Sequence, residues 1–376
     1  RCVLGGRAVV RQHQLQLRGG DRQDAPLPGE RLALRSGTFQ NAVPQAGPRA
    51  LALPAALVNA DWTQRGGSPA HAAGHVALGP SLAPLFSASI GERSSRRARI
   101  TAEPVVAGDR VFTLDARSNV SAFGAGGAAL WTRSVRPAPD APTDASGGGL
   151  ASDGTTLFAS SGFGRVTALD AATGIVRWTQ DLNAPGTSSP TVMGDVVLVV
   201  SRGGRAWALE AATGRIRWEQ ASIPSAATFA GGAGVAARPG LVVVPFSSGE
   251  VVGVFPEGGL RRWSTIVAGN RPGSAASFAA TDIAGDPVLA GDVAYVGSYS
   301  GRLAALGSET GETLWAIPEG VASPVVPAGG SLFLVNDLGQ LLRVDAATGG
   351  VVWRQPLPEA ERRRGVTAHL GPVLAG

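Results

Sequence analysis

Leu169-Asp-Ala-Ala-Thr-Gly-Ile-Val-Arg-Trp178 is repeated, 40 residues on, as Leu209-Glu-Ala-Ala-Thr-Gly-Arg-Ile-Arg-Trp218. The heart of this frame, a glycine followed four residues later by a tryptophan, occurs six times and ends at Trp131, Trp178, Trp218, Trp263, Trp315 and Trp353. Successive copies lie 47, 40, 45, 52 and 38 residues apart. A period of that length is one small antiparallel sheet in a radial array, so the repeat predicts an all-β chain folded as a β-propeller of four-stranded blades.

Each unit has the same internal order. The third runs Ser189-Pro-Thr-Val-Met, Asp195-Val-Val-Leu-Val-Val-Ser, Arg205-Ala-Trp-Ala-Leu-Glu and Arg215-Ile-Arg-Trp-Glu, four short runs rich in β-branched and apolar residues with turn residues between them. Gly203-Gly204 separates the second run from the third, where a tight hairpin needs positive φ, and Thr213-Gly214 supplies the next turn. No helix follows any of these glycines, so they read as backbone geometry and not as a phosphate cradle. The six tryptophans read as blade-docking residues: a large amphipathic ring at one fixed place in every outer strand covers a seam while its N–H reaches a carbonyl.

The pattern sets blades at about 102–134, 148–181, 188–221, 231–266, 286–317 and 323–356, within a propeller spanning 61–376. Leu82-Ala-Pro-Leu-Phe86-Ser-Ala-Ser-Ile90 reads as an isolated outer strand, 82–90, with Phe86 at the tryptophan position; donated to a closing blade, it would remove two exposed edges. The last residues, Gly371-Pro-Val-Leu-Ala-Gly376, repeat the unit opening Asp286-Pro-Val-Leu-Ala-Gly291, so an incomplete blade from 371 and a C-terminally truncated propeller are expected. Residues 1–60 lack the repeat and are rich in Gly, Pro, Gln and Arg, which suits a flexible N-terminal tether.

Composition narrows the function. The chain has 376 residues, 53 of them glycine, with 44% apolar and only 16% charged residues, a turn-dense all-β profile. The net charge of +5 comes without a single lysine, which marks a compositional bias; the arginine clusters at Arg96-Arg97 and Arg362-Arg363-Arg364 have no aromatic interleaving, so no nucleic-acid partner is expected. No run approaches the ~18 apolar residues of a membrane span. His71 and His75 are four apart in a Gly/Pro/Ala-rich stretch without the glutamate of a zinc protease, and the one cysteine, Cys2, excludes a cysteine cage and an internal disulfide. Carboxylates such as Asp170, Glu210 and Asp345 recur at turns, where they bond to backbone. No catalytic residue, metal or cofactor is assigned.

The Ala-x-Asp/Glu-x-x-Thr-Gly-x-x-x-Trp unit, without a Trp-Asp dipeptide, resembles the pyrroloquinoline-quinone-type propeller repeat. Two branches share it. The quinoprotein dehydrogenases typically use adjacent cysteines and calcium ligands near the axis, and Cys2 alone cannot provide the pair. The other branch is the BamB family of outer-membrane protein assembly factors. Pro26-Leu-Pro-Gly-Glu-Arg31, Asp61-Trp62-Thr-Gln-Arg-Gly-Gly-Ser-Pro-Ala-His71, Ile90-Gly-Glu-Arg-Ser-Ser-Arg96 and Val243-Val-Pro-Phe-Ser-Ser-Gly249-Glu250 are similar, in order and spacing, to BamB proteins of the alphaproteobacterial kind.

That resemblance implies eight blades and a non-enzymatic scaffold on the periplasmic face of the outer membrane. The implied partners are the POTRA domains of BamA, other subunits of the barrel-assembly (BAM) complex and unfolded outer-membrane proteins, with a lipid anchor at Cys2. It places partner contacts in two loops: Thr228 and Phe229 before the fourth blade, and Arg271, Asp282 and Ile283 before the fifth. Asp282 reads equally as a turn cap before Asp286-Pro287, and Phe229 as a core residue at the seam. A quinone-dependent dehydrogenase and an extracytoplasmic adaptor for some other partner are the alternative functions.

Overall fold

The computed structural model describes residues 45–376 apart from 80, 96–97, 139, 142–144, 146, 185, 226–231, 270–281 and 359–368. All of these belong to one compact unit, Asn41–Gly376. The described residues form six four-stranded antiparallel sheets, each a meander in chain order. The first blade holds β1 (Val105–Ala107), β2 (Arg110–Leu114), β3 (Asn119–Gly124) and β4 (Ala129–Ser134), and the second β5 (Gly148–Ser152), β6 (Thr156–Ser161), β7 (Arg165–Asp170) and β8 (Val176–Asp181). The third holds β9 (Thr191–Met193), β10 (Val196–Val200), β11 (Arg205–Glu210) and β12 (Ile216–Ala221), and the fourth β13 (Ala236–Arg238), β14 (Leu241–Pro245), β15 (Glu250–Val254) and β16 (Arg261–Ile266). The fifth holds β17 (Val288–Ala290), β18 (Val293–Ser298), β19 (Arg302–Gly307) and β20 (Thr313–Ile317), and the sixth β21 (Val326–Ala328), β22 (Ser331–Val335), β23 (Gln340–Asp345) and β24 (Val351–Pro356). The fold is the β-propeller that the repeat calls for, with six blades described where the family resemblance implied eight.

Why the strands differ in composition follows from their radial position. First strands of neighbouring blades touch one another, β1 with β5, β5 with β9, β9 with β13 and β13 with β17, so they ring the axis. Second strands are covered on both faces by adjacent blades, and β10, Val-Val-Leu-Val-Val, is buried throughout. Fourth strands lie outermost and alternate, with Trp218 buried on β12 between exposed neighbours. The core is therefore a set of layers between blades. One packs Leu114 and Val120 against Leu157 and Leu169, the next Phe158 against Val197 and Trp207. Three more continue the series to the sixth blade.

One irregularity repeats in all six blades. The register between third and fourth strands slips at Ala122/Phe123, Ala168/Leu169, Ala208/Leu209, Gly253/Val254, Ala305/Leu306 and Arg343/Val344. Each slip lies beside the residue that pairs with the tryptophan, and the extra residue bends the outer strand there. That partner is Ala or Gly in five blades, leaving room for the indole. In the sixth it is Arg343, paired with Trp353. Arg343 is buried and reaches out of the blade, donating to the carbonyls of Arg49 at 2.9 Å and Ala50 at 3.1 Å.

One expectation, the free tether, is corrected here. Residues 45–58 do not behave as free tether: Ala46 N–H donates to the Val351 carbonyl, Arg49 pairs with Asp345, and Leu57 bridges Val76. Residues 1–44 lie outside the described residues. The segment 82–90 forms no ladder, because no strand lies beside it among the described residues. Phe86 nevertheless lies against Gly127, where a Cβ would come within 2.5 Å of its ring.

Candidate functional site

The seams are built from the repeat itself. A Cβ on Gly174, Gly214, Gly259, Gly311 or Gly349 would fall 2.5–2.7 Å from the indole of Trp131, Trp178, Trp218, Trp263 or Trp315 respectively, each in the preceding blade. All five glycines have φ between +67° and +75°, so the turn requires glycine twice over. The indole N–H groups donate to carbonyls of the following blade: Trp131 to Ala171, Trp178 to Ala211, Trp218 to Pro256, Trp263 to Ser308 and Trp315 to Ala346, at 2.7–3.2 Å. Phe86 occupies the same place over Gly127. Among the described residues no glycine lies over Trp353 in this way, and it is 37% exposed.

An N-terminal segment of the chain runs along the inner edges of the blades. Trp62 pairs with Val106 of β1 through both backbone bonds, and Thr63 accepts from Ser152 N–H of the second blade. The Gln64 side chain then acts as a strand residue, accepting from Val192 N–H at 2.8 Å and donating to the Val192 carbonyl at 3.2 Å in the third blade. Pro69 accepts from Ala237 of the fourth blade and Ala70 from Leu289 of the fifth. Residues 62–70 thus satisfy free inner edges of five blades in order. His71 Nδ1 lies 2.9 Å from the Pro287 carbonyl, and His75 lies between the carbonyls of Pro54 and Gly376 at 2.8 and 2.9 Å. Hydrogen bonds donated to both carbonyls favour the imidazolium and raise the His75 pKa, Pro54 first and Gly376 second, against a smaller effect of burial. Sequence reasoning missed this role. Its signal was a Gln, two His and a Gly-Gly turn in a stretch without strand periodicity.

Of the residues expected from the resemblance, the partner contacts Thr228, Phe229 and Arg271 and the lipid-anchor Cys2 lie outside the described residues. Asp282 is 3% exposed, and Ile283 is 1% exposed within the layer between fourth and fifth blades. Neither is presented to solvent. An exposed concavity lies nearby, where β12 and β16 end: Ile223 is 79% and Ile266 69% exposed around Glu250 and Arg261. Burial alone would push the Glu250 carboxyl up, but hydroxyls of Ser222 and Ser264 and the Arg261 guanidinium hold it below the ordinary range. Among the described residues no group of three His, Cys, Asp or Glu side chains could hold a metal, and no helix is long and apolar enough to cross a membrane.

Fold and site together define a β-propeller of the tryptophan-glycine repeat class that carries its own axial segment. A family profile described as outer membrane protein assembly factor BamB matches residues 116–355, and the chain belongs to that family. It is 29% identical over 277 residues to the outer membrane protein assembly factor BamB of Shewanella oneidensis strain MR-1, covering 71% of this chain and 69% of the relative. It is 27% identical over 261 residues to the BamB of Moranella endobia, covering 67% and 66%. The crystal structure of BamB from Moraxella catarrhalis shares the fold with a TM-score of 0.59 at 22% identity, over 71% of this chain and 79% of that one.

Proposed function

We propose that this protein is a non-enzymatic scaffold of the outer-membrane β-barrel assembly machinery, lipid-anchored at the periplasmic face of the outer membrane. It docks on the POTRA domains of BamA and helps present unfolded outer-membrane proteins for insertion. The observation that carries this reading is the family match across all but the edges of the propeller, residues 116–355. Residues 62–70 bond to the inner edges of five blades, and the broad surface around that closed set of strands suits a scaffold.

We assign docking to the concavity of Ile223, Ile266 and Glu250, with Thr228 and Phe229, which follow Ser225 of its wall in the sequence, as further contacts. Exposed aliphatic side chains around a satisfied carboxylate form an apolar anchor with a polar rim, the usual anatomy of a hot spot. The test is titration of the full chain with the purified POTRA domains of its cognate BamA. Saturable binding is expected, weakened about tenfold or more by Ile223→Glu and by Phe229→Ala and unchanged by Leu130→Glu on the first blade. Absence of binding at high micromolar concentration would end the assignment and leave an adaptor for some other periplasmic partner.

A further inference from the structure

Between the axial segment, the inner edge of the sixth blade and residues 370–374 lies an open cavity of about 180 Å³, which adjoins a wider one of about 450 Å³ at Arg65, Glu103, Ala322 and Leu370. Trp62, Pro324, Val326, Pro327 and Leu374 give it apolar walls, and Arg65, His71 and Glu103 form its polar part. A dry apolar cavity of about 150 Å³ already accepts benzene, so one aromatic ring with a small substituent matches this volume.

The polar part has unused bonding capacity of a defined kind. His71 is 5% exposed, and its Nδ1 faces a carbonyl, which can only accept; Nδ1 therefore carries the hydrogen. In the uncharged ring Nε2 is then an acceptor, and it has no hydrogen-bond partner among the described residues. Arg65 is held from one side. Its Nε lies 2.9 Å from the buried Asp286 Oδ2 and 3.4 Å from Glu103, an ionic contact without hydrogen-bond alignment, and its Nη1 reaches the Gly232 carbonyl at 3.4 Å. The Nη2 donors have no hydrogen-bond partner among the described residues. An acceptor and a cationic donor beside an apolar wall suit one group that both donates and accepts, a hydroxyl on a ring. An ammonium would meet the like charge of Arg65, a carboxylate would meet Glu103 and Asp286, and a bare hydrocarbon would leave both polar groups unpaired.

We propose that this axial cavity is a binding site for small single-ring phenols, with the hydroxyl donating to His71 Nε2 and accepting from Arg65 while the ring packs against Trp62. The site is independent of the docking surface on the third and fourth blades.

The experiment is calorimetric and saturation-transfer NMR titration of the full chain at pH 8 with p-cresol, toluene, benzylamine and benzoate. One saturable p-cresol site is expected, with the other three at least tenfold weaker. Ala73→Phe, which fills the cavity, abolishes binding with an unchanged melting temperature; Ala322→Leu serves if that variant does not fold. His71→Asn tolerates the φ of +56° and keeps a donor for Pro287 but loses the acceptor at that depth, so p-cresol falls to the affinity of toluene. No saturation by p-cresol at millimolar concentration, equal binding of toluene and p-cresol, or undiminished binding by a folded cavity-filling variant would each overturn the proposal.

Discussion

Adding one methyl group at Gly214 should cost several times what the same methyl costs at Gly194, 20 residues away in the same blade. Both glycines have positive φ, +75° and +60°, so alanine at either takes on about 1–2 kcal/mol of left-handed strain, partly offset by about 0.4–1 kcal/mol from a less flexible unfolded chain. Around Gly194 a Cβ meets nothing within 4 Å. At Gly214 it falls 2.5 Å from the Trp178 ring, where ordinary contact is about 3.5–4 Å, so the indole must move by roughly 1 Å. That movement breaks the 2.8 Å bond from Trp178 to the Ala211 carbonyl, about 0.5–1.5 kcal/mol, and overpacks the layer between second and third blades, about 1–3 kcal/mol. The expected losses are about 1 kcal/mol for Gly194→Ala and about 3–5 kcal/mol for Gly214→Ala, or roughly 2 °C against 6–10 °C in melting temperature. Urea titration followed by near-ultraviolet circular dichroism, which reports the tryptophans, measures both. Losses within about 1 kcal/mol of each other would refute the claim that the indole–glycine contact holds the seam.

Gln64→Leu should destabilise by about 2–4 kcal/mol, because it leaves Val192 N–H and C=O without their partners at a buried position; hydrogen exchange at Val192 should rise before global unfolding. Arg343→Ala should release residues 45–58, read as faster exchange at Ala46 and new proteolytic cleavage there, while the seams between the first five blades keep their protection. Ser118 stands at φ +62° in the turn where later blades have Gly164, Gly204, Gly249, Gly301 and Gly339, so Ser118→Gly should stabilise by up to about 1 kcal/mol in chemical denaturation. The Arg177 guanidinium, then the Thr173 hydroxyl and backbone, hold Asp170 down at about 2. A depressed carboxylate contributes stability that is present above its ordinary value near 3.8 and lost as pH falls through 2, so Asp170→Asn should lower the melting temperature at pH 7 and leave it unchanged near pH 2.

The propeller was legible because each blade repeats the same solution: glycine at positive φ, tryptophan four residues on, and a small residue paired with the indole. The exception, Arg343 in Leu-Leu-Arg343-Val-Asp345 where Val-Thr-Ala168-Leu-Asp170 has alanine, was passed over in the sequence. What it grips could not be read, because its acceptors are backbone carbonyls nearly 300 residues away. The axial segment was opaque for the same reason. Its bonds at Trp62, Thr63, Pro69 and Ala70 are main-chain contacts, to which side-chain identity gives little clue. The burial of Asp282 and Ile283 depends on how the fourth and fifth blades close over them, which no local pattern encodes.

Seam and axial segment bear differently on how such a molecule can change through gene duplication. Every seam is the same contact with the same direction, indole donating forward to the next blade, so a copied blade finds correct neighbours on either side. The seam is indifferent to number. Residues 62–70 are not, since they meet the blades one by one and in sequence. A duplicated blade would join the array at no local cost and leave this segment out of step with every blade beyond it.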